Sequence, residues 1–319
     1  MERGPPNMTV SPTPECPGYY SNNSTDYNEN KSLFKRFLCY DRMNIPSLLI
    51  ALLGLLGNGA VLWLLGFRIP RNHFSVYILN LAAADALFLC GSFLKSIHPC
   101  FGKFRDLTWV ILFFLKYLFY TVGLSLRAAI STERCLCALF PLWYRCRRPE
   151  DTSAAVCAVL WALIGTLWLL SFVLLFTFYE VIYIFLIAGA RLLLLTPVLC
   201  VSSLTLLLRV QCSSRRRRPP RLYLLVMLTV LMFLLCGLPW GVLDFMNVYF
   251  KLNVSCWPYD ALACVNSSVN PLIYFFVGRL GNKRREPLRE VLQRALGDEQ
   301  ELGGGTTNTP HTSNQEITV

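Results

Sequence analysis

Charge is scarce in this sequence. Only 15% of its 319 residues are Asp, Glu, Lys or Arg, against 54% hydrophobic, which is too apolar for an ordinary soluble domain. Histidine is scarcer still: His73, His98 and His311 are scattered, and no spacing among them would hold a metal ion. That removes metal-dependent membrane enzymes, and neither a cofactor nor a metal is expected. The opening residues MERGPPNMTV lack an apolar core, so no cleaved signal peptide is expected. Internal repeats and paired broken helices, on which transporters are built, are missing too.

Cysteine is plentiful, with thirteen in the chain, yet most fall in apolar segments or beside arginine-rich loops, where thiols stay reduced. Cys16, Cys39, Cys100 and Cys256 are the exceptions. Cys39 paired with Cys256, or with Cys100, would staple the amino terminus to a loop, and the sequence does not choose between them. No cysteine lies between Cys157 and Cys200.

What the chain has instead is long apolar blocks. Seven are read, at roughly 46–67, 74–94, 108–140, 153–177, 181–208, 222–250 and 258–277, each able to cross about 30 Å of hydrocarbon as a helix. The fourth and fifth nearly fuse, and one long hairpin is the rival reading there. The expected fold is an all-α membrane protein, a seven-helix bundle.

Lysine and arginine set its orientation. Arg68 and Arg71, then Arg145, Arg147 and Arg148, then RVQCSSRRRRPPR, then Arg279, Lys283, Arg284 and Arg285 occupy alternate connections. The other connections hold only Lys103, Arg105 and Lys251. The first set marks the cytosolic side, which leaves residues 1–45 outside. Glycan-acceptor tripeptides begin at Asn7, Asn22, Asn23 and Asn30 in that segment, with another at Asn253. After the 46–277 bundle, residues 278–298 place Leu288, Val291, Leu292 and Leu296 on one side of a helix lying on the inner leaflet. Residues 299–319 are polar and expected to be disordered. The net charge of +11 reflects these inner loops and anionic lipid headgroups rather than nucleic acid.

Polar side chains within the blocks carry the functional signal, because hydrocarbon penalises them. Asn58, Asp85, Asn266 and Asn270 lie inside spans one, two and seven. A buried carboxylate needs donors, and asparagine amides supply them. This network either clamps helices together or rearranges between two states. Pro197, Pro239 and Pro271 free backbone carbonyls and bend three spans. Span three carries Arg127 and Arg134, seven residues apart and hence on one face, in line with Lys116, Tyr120 and Gly123.

These features resemble the rhodopsin-like G-protein-coupled receptors: GN in span one, LAAAD in span two, TERC closing span three, Trp161, Pro197, Pro239 and NPLIY over Asn270–Tyr274. The segments VLWLLGFRIPRNHFSVYILNLAAAD, TVGLSL, CALFPLWYRCRRP, NSSVNPLIYFFVG and REPLREVLQRALGDEQELGG resemble the Mas-related receptors more narrowly, over residues 46–302. The resemblance implies a plasma-membrane glycoprotein that couples an extracellular peptide or small amphiphilic ligand to a heterotrimeric G protein. Span six would swing outward. Glu133, Arg134, Cys135, Asn270, Pro271 and Tyr274 would serve the G-protein end, with Glu133 as the resting partner of Arg134. Asn58, Asp85, Asn266, Arg127 and Pro239 would form the activation network. Arrestin and receptor kinases would act on TTNTPHTS.

The chain departs from that pattern in several places. Pro219 stands where an acidic partner for Arg134 would be expected on span six, and Gly237 replaces a tryptophan, as in the Mas-related receptors. Gly123 lacks the hydroxyl that often helps Asp85 hold sodium, so no sodium site is expected. Trp109 stands where the span-three cysteine would be, and the short connection between spans four and five implies a wide, shallow mouth or else impaired folding. Arg127 replaces an apolar residue in the seal between ligand pocket and cytosolic end. Either it disfavours tight resting packing and raises basal signalling, or it pairs stably with Asp85 or Asn270 without special effect.

Lys95, Lys116, Tyr120, Asp244 and Asp260 lie at the depth where this fold grips ligands. Two cations and two anions would suit a zwitterion or a peptide terminus, with Tyr117, Trp240, Phe245 and Tyr259 adding apolar area. The alternative functions are a multi-span transporter and an orphan receptor-like protein without its own ligand. A retinal protein is excluded by Cys264, which takes the expected lysine position.

Overall fold

The computed structural model describes the backbone of residues 26–70, 72–97, 106–140, 151–178, 189–213, 221–250, 257–280 and 287–296, with single positions at 142, 144, 146 and 149. Most side chains are described from residue 45 onward. The chain divides into a leading unit, Met1–Arg42, and a main body, Met43–Val319; the description below is of the body.

All regular structure among the described residues is helical. The elements are α1 (Asp26–Trp63), α2 (His73–Ile97), α3 (Asp106–Leu139), α4 (Thr152–Phe178), α5 (Thr196–Ser213), α6 (Arg221–Met232), α7 (Leu238–Phe250), α8 (Trp257–Arg279) and α9 (Leu288–Leu296). Such a result is what hydrocarbon dictates, since a helix satisfies every backbone group within itself. Six described segments are long and apolar enough to cross a membrane: Ile45–Arg68, His73–Ile97, Val110–Leu139, Thr152–Thr177, Leu224–Leu243 and Asp260–Arg279. The fifth block of the sequence is described as a shorter apolar helix, Leu193–Thr205; residues 179–188 and the mouth expected there lie outside the described residues.

The bundle is apolar outside and polar within. Leu53, Leu56, Phe67, Leu193, Val201, Leu272 and Phe276 face outward, each more than 60% exposed, while Asn58, Asp85, Lys116, Arg127, Arg134, Asn266 and Asn270 are all buried to 3% or less. In water that distribution would be inverted; against lipid tails it is the stable one. Helix α3 runs through the middle, packing on α2, α4, α5 and α6, while α8 packs on α2, α6 and α9.

Local sequence explains the joints. Asn72 caps α2: its Oδ1 accepts from Ser75 N at 2.6 Å, and Ser75 Oγ accepts from Asn72 N at 2.8 Å, a reciprocal pair that satisfies two first-turn donors. Gly54 lets α1 approach closely, since a Cβ there would strike Ser268 and Leu89. The π-helical turns Arg191–Leu195 and Phe233–Gly237 each end just before a proline, Pro197 or Pro239. A proline ring clashes with the carbonyl four residues earlier, and a widened turn relieves that clash.

Pro271 is handled differently. It sits inside α8, where it cannot donate to the carbonyl of Ser267. Asn58 Nδ2 from α1 donates to that carbonyl at 3.1 Å, and to Gly54 O at 3.0 Å. The span-one asparagine thus restores across the helix interface the bond that the proline removes within the helix.

Within the expected 278–298 segment, helix α9 is described over Leu288–Leu296; residues 281–286 and 297–298 lie outside the described residues. Of the four apolar residues expected on one side, three are buried together. Val291, Leu292, Ala295 and Leu296 are buried against the bundle, while Leu288 is exposed, because α9 packs on α8 and α6. Gly278 makes room: a Cβ there would strike the Val291 carbonyl.

Candidate functional site

At one end of α3, Lys116 is buried, its side chain 3% exposed, and a bare ammonium there needs a counterion. Asp260, in the first turn of α8, supplies it: Lys116 Nζ lies 2.7 Å from Asp260 Oδ1, and Lys95 Nζ lies 2.9 Å from Asp260 Oδ2. One carboxylate on α8 therefore ties α2 and α3 together at this end. Trp240 Nε1 donates to Asp260 Oδ1 at 3.5 Å, and Lys116 Nζ stands 5.7 Å over the Phe88 ring, a favourable cation–aromatic placement. A bed of rings continues from it. Tyr120 and Trp240 have centroids 4.2 Å apart, Tyr117 and Trp240 5.5 Å, and Tyr117 and Trp168 6.0 Å.

Four of the five expected pocket residues thus converge: Lys95, Lys116 and Asp260 in one ion cluster, with Tyr120 on the adjoining ring bed. The Asp244 side chain lies outside the described residues, as do Tyr259 and Trp109. Phe88 and Trp168 belong to the same bed and were not anticipated; aromatic residues in apolar spans carry no signal that separates lining from lipid contact. Tyr120 Oη donates to Gly237 O at 3.1 Å. A side chain at Gly237 would collide with Phe233, 2.6 Å from the Cβ position, and press on Asn266 Nδ2 at 3.1 Å.

Further along α3 the polar stripe meets α2 and α8. Arg127 Nη2 lies 2.9 Å from Asp85 Oδ1 and donates to Asp85 Oδ2 at 3.1 Å. Asn270 Nδ2 donates to Asp85 Oδ2 at 2.6 Å. Asp85, Arg127 and Asn270 are 2%, 3% and 1% exposed, so the arrangement is a buried three-helix clamp. Arg127 uses a single nitrogen for it; its Nε and Nη1 have no hydrogen-bond partner among the described residues. A Cβ at Gly123 would sit 3.5 Å from both Arg127 Nη1 and Asp85 Oδ1. The sodium ion that this fold often carries on such an aspartate does not fit here. Both Asp85 oxygens are engaged by Arg127 and Asn270, and Gly123 contributes no oxygen.

At the far end of α3, Arg134 is 3% exposed, with its guanidinium carbon 4.2 Å over the Phe74 ring. Glu133 Oε1 accepts from Tyr144 Oη at 2.6 Å. Tyr274 is 1% exposed and points inward, and its hydroxyl has no hydrogen-bond partner among the described residues. Cys135 is half-buried, with a free thiol.

Four further hydrogen bonds carry the framework. Ser131 Oγ on α3 lies 2.7 Å from Ser202 Oγ and 3.1 Å from Ser203 Oγ on α5. Trp161 Nε1 donates to Asn80 Oδ1 at 3.1 Å, joining α4 to α2. Asn72 Nδ2 donates to Leu296 O at 2.9 Å. Cys16, Cys39, Cys100 and Cys256, the acceptor asparagines of the amino terminus, and Pro219 lie outside the described side chains.

A helical bundle that is apolar outside, with a charged stripe along its third helix and an asparagine–carboxylate clamp inside, has the build of a membrane-spanning receptor, and the comparisons agree. The family described as 7 transmembrane receptor (rhodopsin family) matches residues 57–274. Rat Mas-related G-protein coupled receptor member A is 43% identical, aligned over 83% of this chain and 93% of its own. Human member X1 is 44% identical, over 84% and 88%, and mouse member E is 43% identical, over 81% and 87%. The chain belongs to the Mas-related G-protein coupled receptors, within the rhodopsin family, and is a multi-pass plasma-membrane protein.

Proposed function

We propose that this receptor binds an extracellular peptide or small amphiphilic ligand at the Lys95–Asp260–Lys116 cluster and activates a heterotrimeric G protein at the Arg134 end. The observation that carries this reading is the placement of two buried cations, Lys116 and Arg134, on α3. They stand eighteen residues apart, about five turns and about 27 Å of helix. A charged ligand group competing for Lys95 or Asp260 would loosen the tie between α2, α3 and α8. The aromatic bed from Phe88 to Trp168 would take the apolar part of a peptide terminus or zwitterion.

The Asp85–Arg127–Asn270 clamp lies between the two ends, so a change at one shifts the equilibrium at the other. Tyr274 and Asn266 respond when α6 and α7 pivot around the widened turn before Pro239. Glu133, Arg134, Cys135, Asn270 and Pro271 then line the opened end. The amino terminus lies outside the cell and carries glycans at Asn7, Asn22, Asn23 or Asn30, and the chain itself catalyses no reaction. Arrestin and receptor kinases act on the cytosolic tail, and α9 rests on inner-leaflet lipid.

The test is nucleotide exchange on a heterotrimeric G protein in vesicles holding the purified receptor. Exchange should exceed that of empty vesicles and be lost in Arg134→Ala at equal incorporation. Solute flux across sealed vesicles with no exchange would overturn the receptor mechanism in favour of transport. Antibody against a tag on Met1 should label intact cells; labelling that requires permeabilisation would reverse the orientation.

A further inference from the structure

We infer that Arg127 is the resident counter-cation of Asp85, and that it excludes any mobile monovalent cation from the centre of the bundle. A carboxylate in hydrocarbon needs a positive partner or must take up a proton. An ion drawn from solution would approach the Asp85 oxygens from the side of α3, since Asn270 on α8 already holds Oδ2 at 2.6 Å. The guanidinium stands there, bonding both oxygens through Nη2 at 2.9 and 3.1 Å. It is tethered by its own side chain, so it meets none of the entropy cost of capturing a free ion.

The neighbouring residues fit a guanidinium better than a bare ion. A small cation binds through several oxygen ligands, and Gly123, one turn before Arg127 on α3, has no side-chain oxygen to offer. Its missing side chain leaves ordinary contact space, 3.5 Å from a Cβ position to Arg127 Nη1 and to Asp85 Oδ1. A serine hydroxyl placed there would compete for the same space from the same side. Glycine at 123 and arginine at 127, one turn apart on one face, are therefore a matched pair. This inference concerns the interior of the fold and stands whether or not the ligand assignment does.

The experiment is thermal unfolding of the purified full-length receptor in detergent, in sodium chloride against N-methyl-D-glucamine chloride at equal ionic strength. No ligand is needed. The wild type should show the same midpoint in both salts, because a cation that cannot bind cannot stabilise by mass action. Arg127→Leu combined with Gly123→Ser removes the tethered cation and supplies an oxygen. That variant should gain a saturable, sodium-specific rise in midpoint, and further replacement of Asp85 by Asn should abolish the rise. A sodium-specific rise in the wild type that disappears in Asp85→Asn would overturn the inference. So would a folded double variant with no sodium response. If the double variant does not fold, the wild type and Arg127→Lys decide. Lysine keeps a tethered charge and should stay indifferent to sodium, and a sodium response in either protein would refute the exclusion.

Discussion

Exchanging Arg127 for leucine should lower the receptor's ligand-free signalling. The guanidinium is 3% exposed, yet its Nε and Nη1 have no hydrogen-bond partner among the described residues. A buried donor left unsatisfied costs about 1–3 kcal/mol, a cost that opening of the bundle can relieve. When the Arg134 end opens, water enters within seven residues of Arg127, about 10 Å along α3, and can reach those donors. Opening thus relieves strain that a leucine would not have. If only about 1 kcal/mol of it is released, the open population falls about fivefold in the variant, since each 1.4 kcal/mol is a factor of ten.

The leucine also strips Asp85 of its ion-pair partner, a separate destabilisation of about 3–5 kcal/mol while the carboxylate stays charged. The double variant Arg127→Leu with Asp85→Asn removes both charges and isolates the effect of the unsatisfied donors. The assay is G-protein nucleotide exchange without ligand, normalised to receptor number at the cell surface. Unchanged basal exchange in both variants at equal surface level would refute the argument, leaving Arg127 as a packing element satisfied by Asp85 alone.

Asn58→Ala should destabilise the receptor by about 1–3 kcal/mol, because it leaves the Ser267 carbonyl freed by Pro271 without its donor; a thermal shift assay in detergent checks it, and an unchanged midpoint would refute the role. Gly54→Val should sharply reduce surface expression, since its side chain meets Ser268 and Leu89, whereas Gly59→Val, with nothing near its Cβ position, should be tolerated. Asp260→Asn should lower the unfolding midpoint more than Lys95→Met, because the first strands the buried Lys116 ammonium while the second removes a cation whose side chain is 30% exposed. The reverse order would show that Lys116 does not depend on Asp260.

The spans were legible because hydrocarbon admits so few backbone solutions: an apolar block of some twenty residues crosses as a helix. The polar stripe of α3 was legible for a similar reason, since Lys116, Tyr120, Gly123, Arg127 and Arg134 keep helical spacing. Partner choice was harder to read. Both Asp85 and Asn270 were open as partners for Arg127, and the clamp joins all three. Asp244 and Asp260 were both open as partners for the lysines at the opposite end, and it is Asp260 that bridges both. The role of Asn58 depends on a carbonyl freed by a proline 213 positions later in the chain, a pairing that only the packing of α1 on α8 discloses. Ser131, Ser202 and Ser203 gave no warning, because small hydroxyl residues are common in spans and most bond their own helix.

Asn72 occupies an unusual post. With one side chain it caps α2 and holds the last described residue of α9: its Oδ1 accepts from the Ser75 amide and its Nδ2 donates to the Leu296 carbonyl. Detaching the carboxyl-terminal helix from the barrel would therefore fray the opening turn of the very helix that holds Asp85. A pull transmitted to Leu296 would reach the first turn of α2 through the single side chain of Asn72.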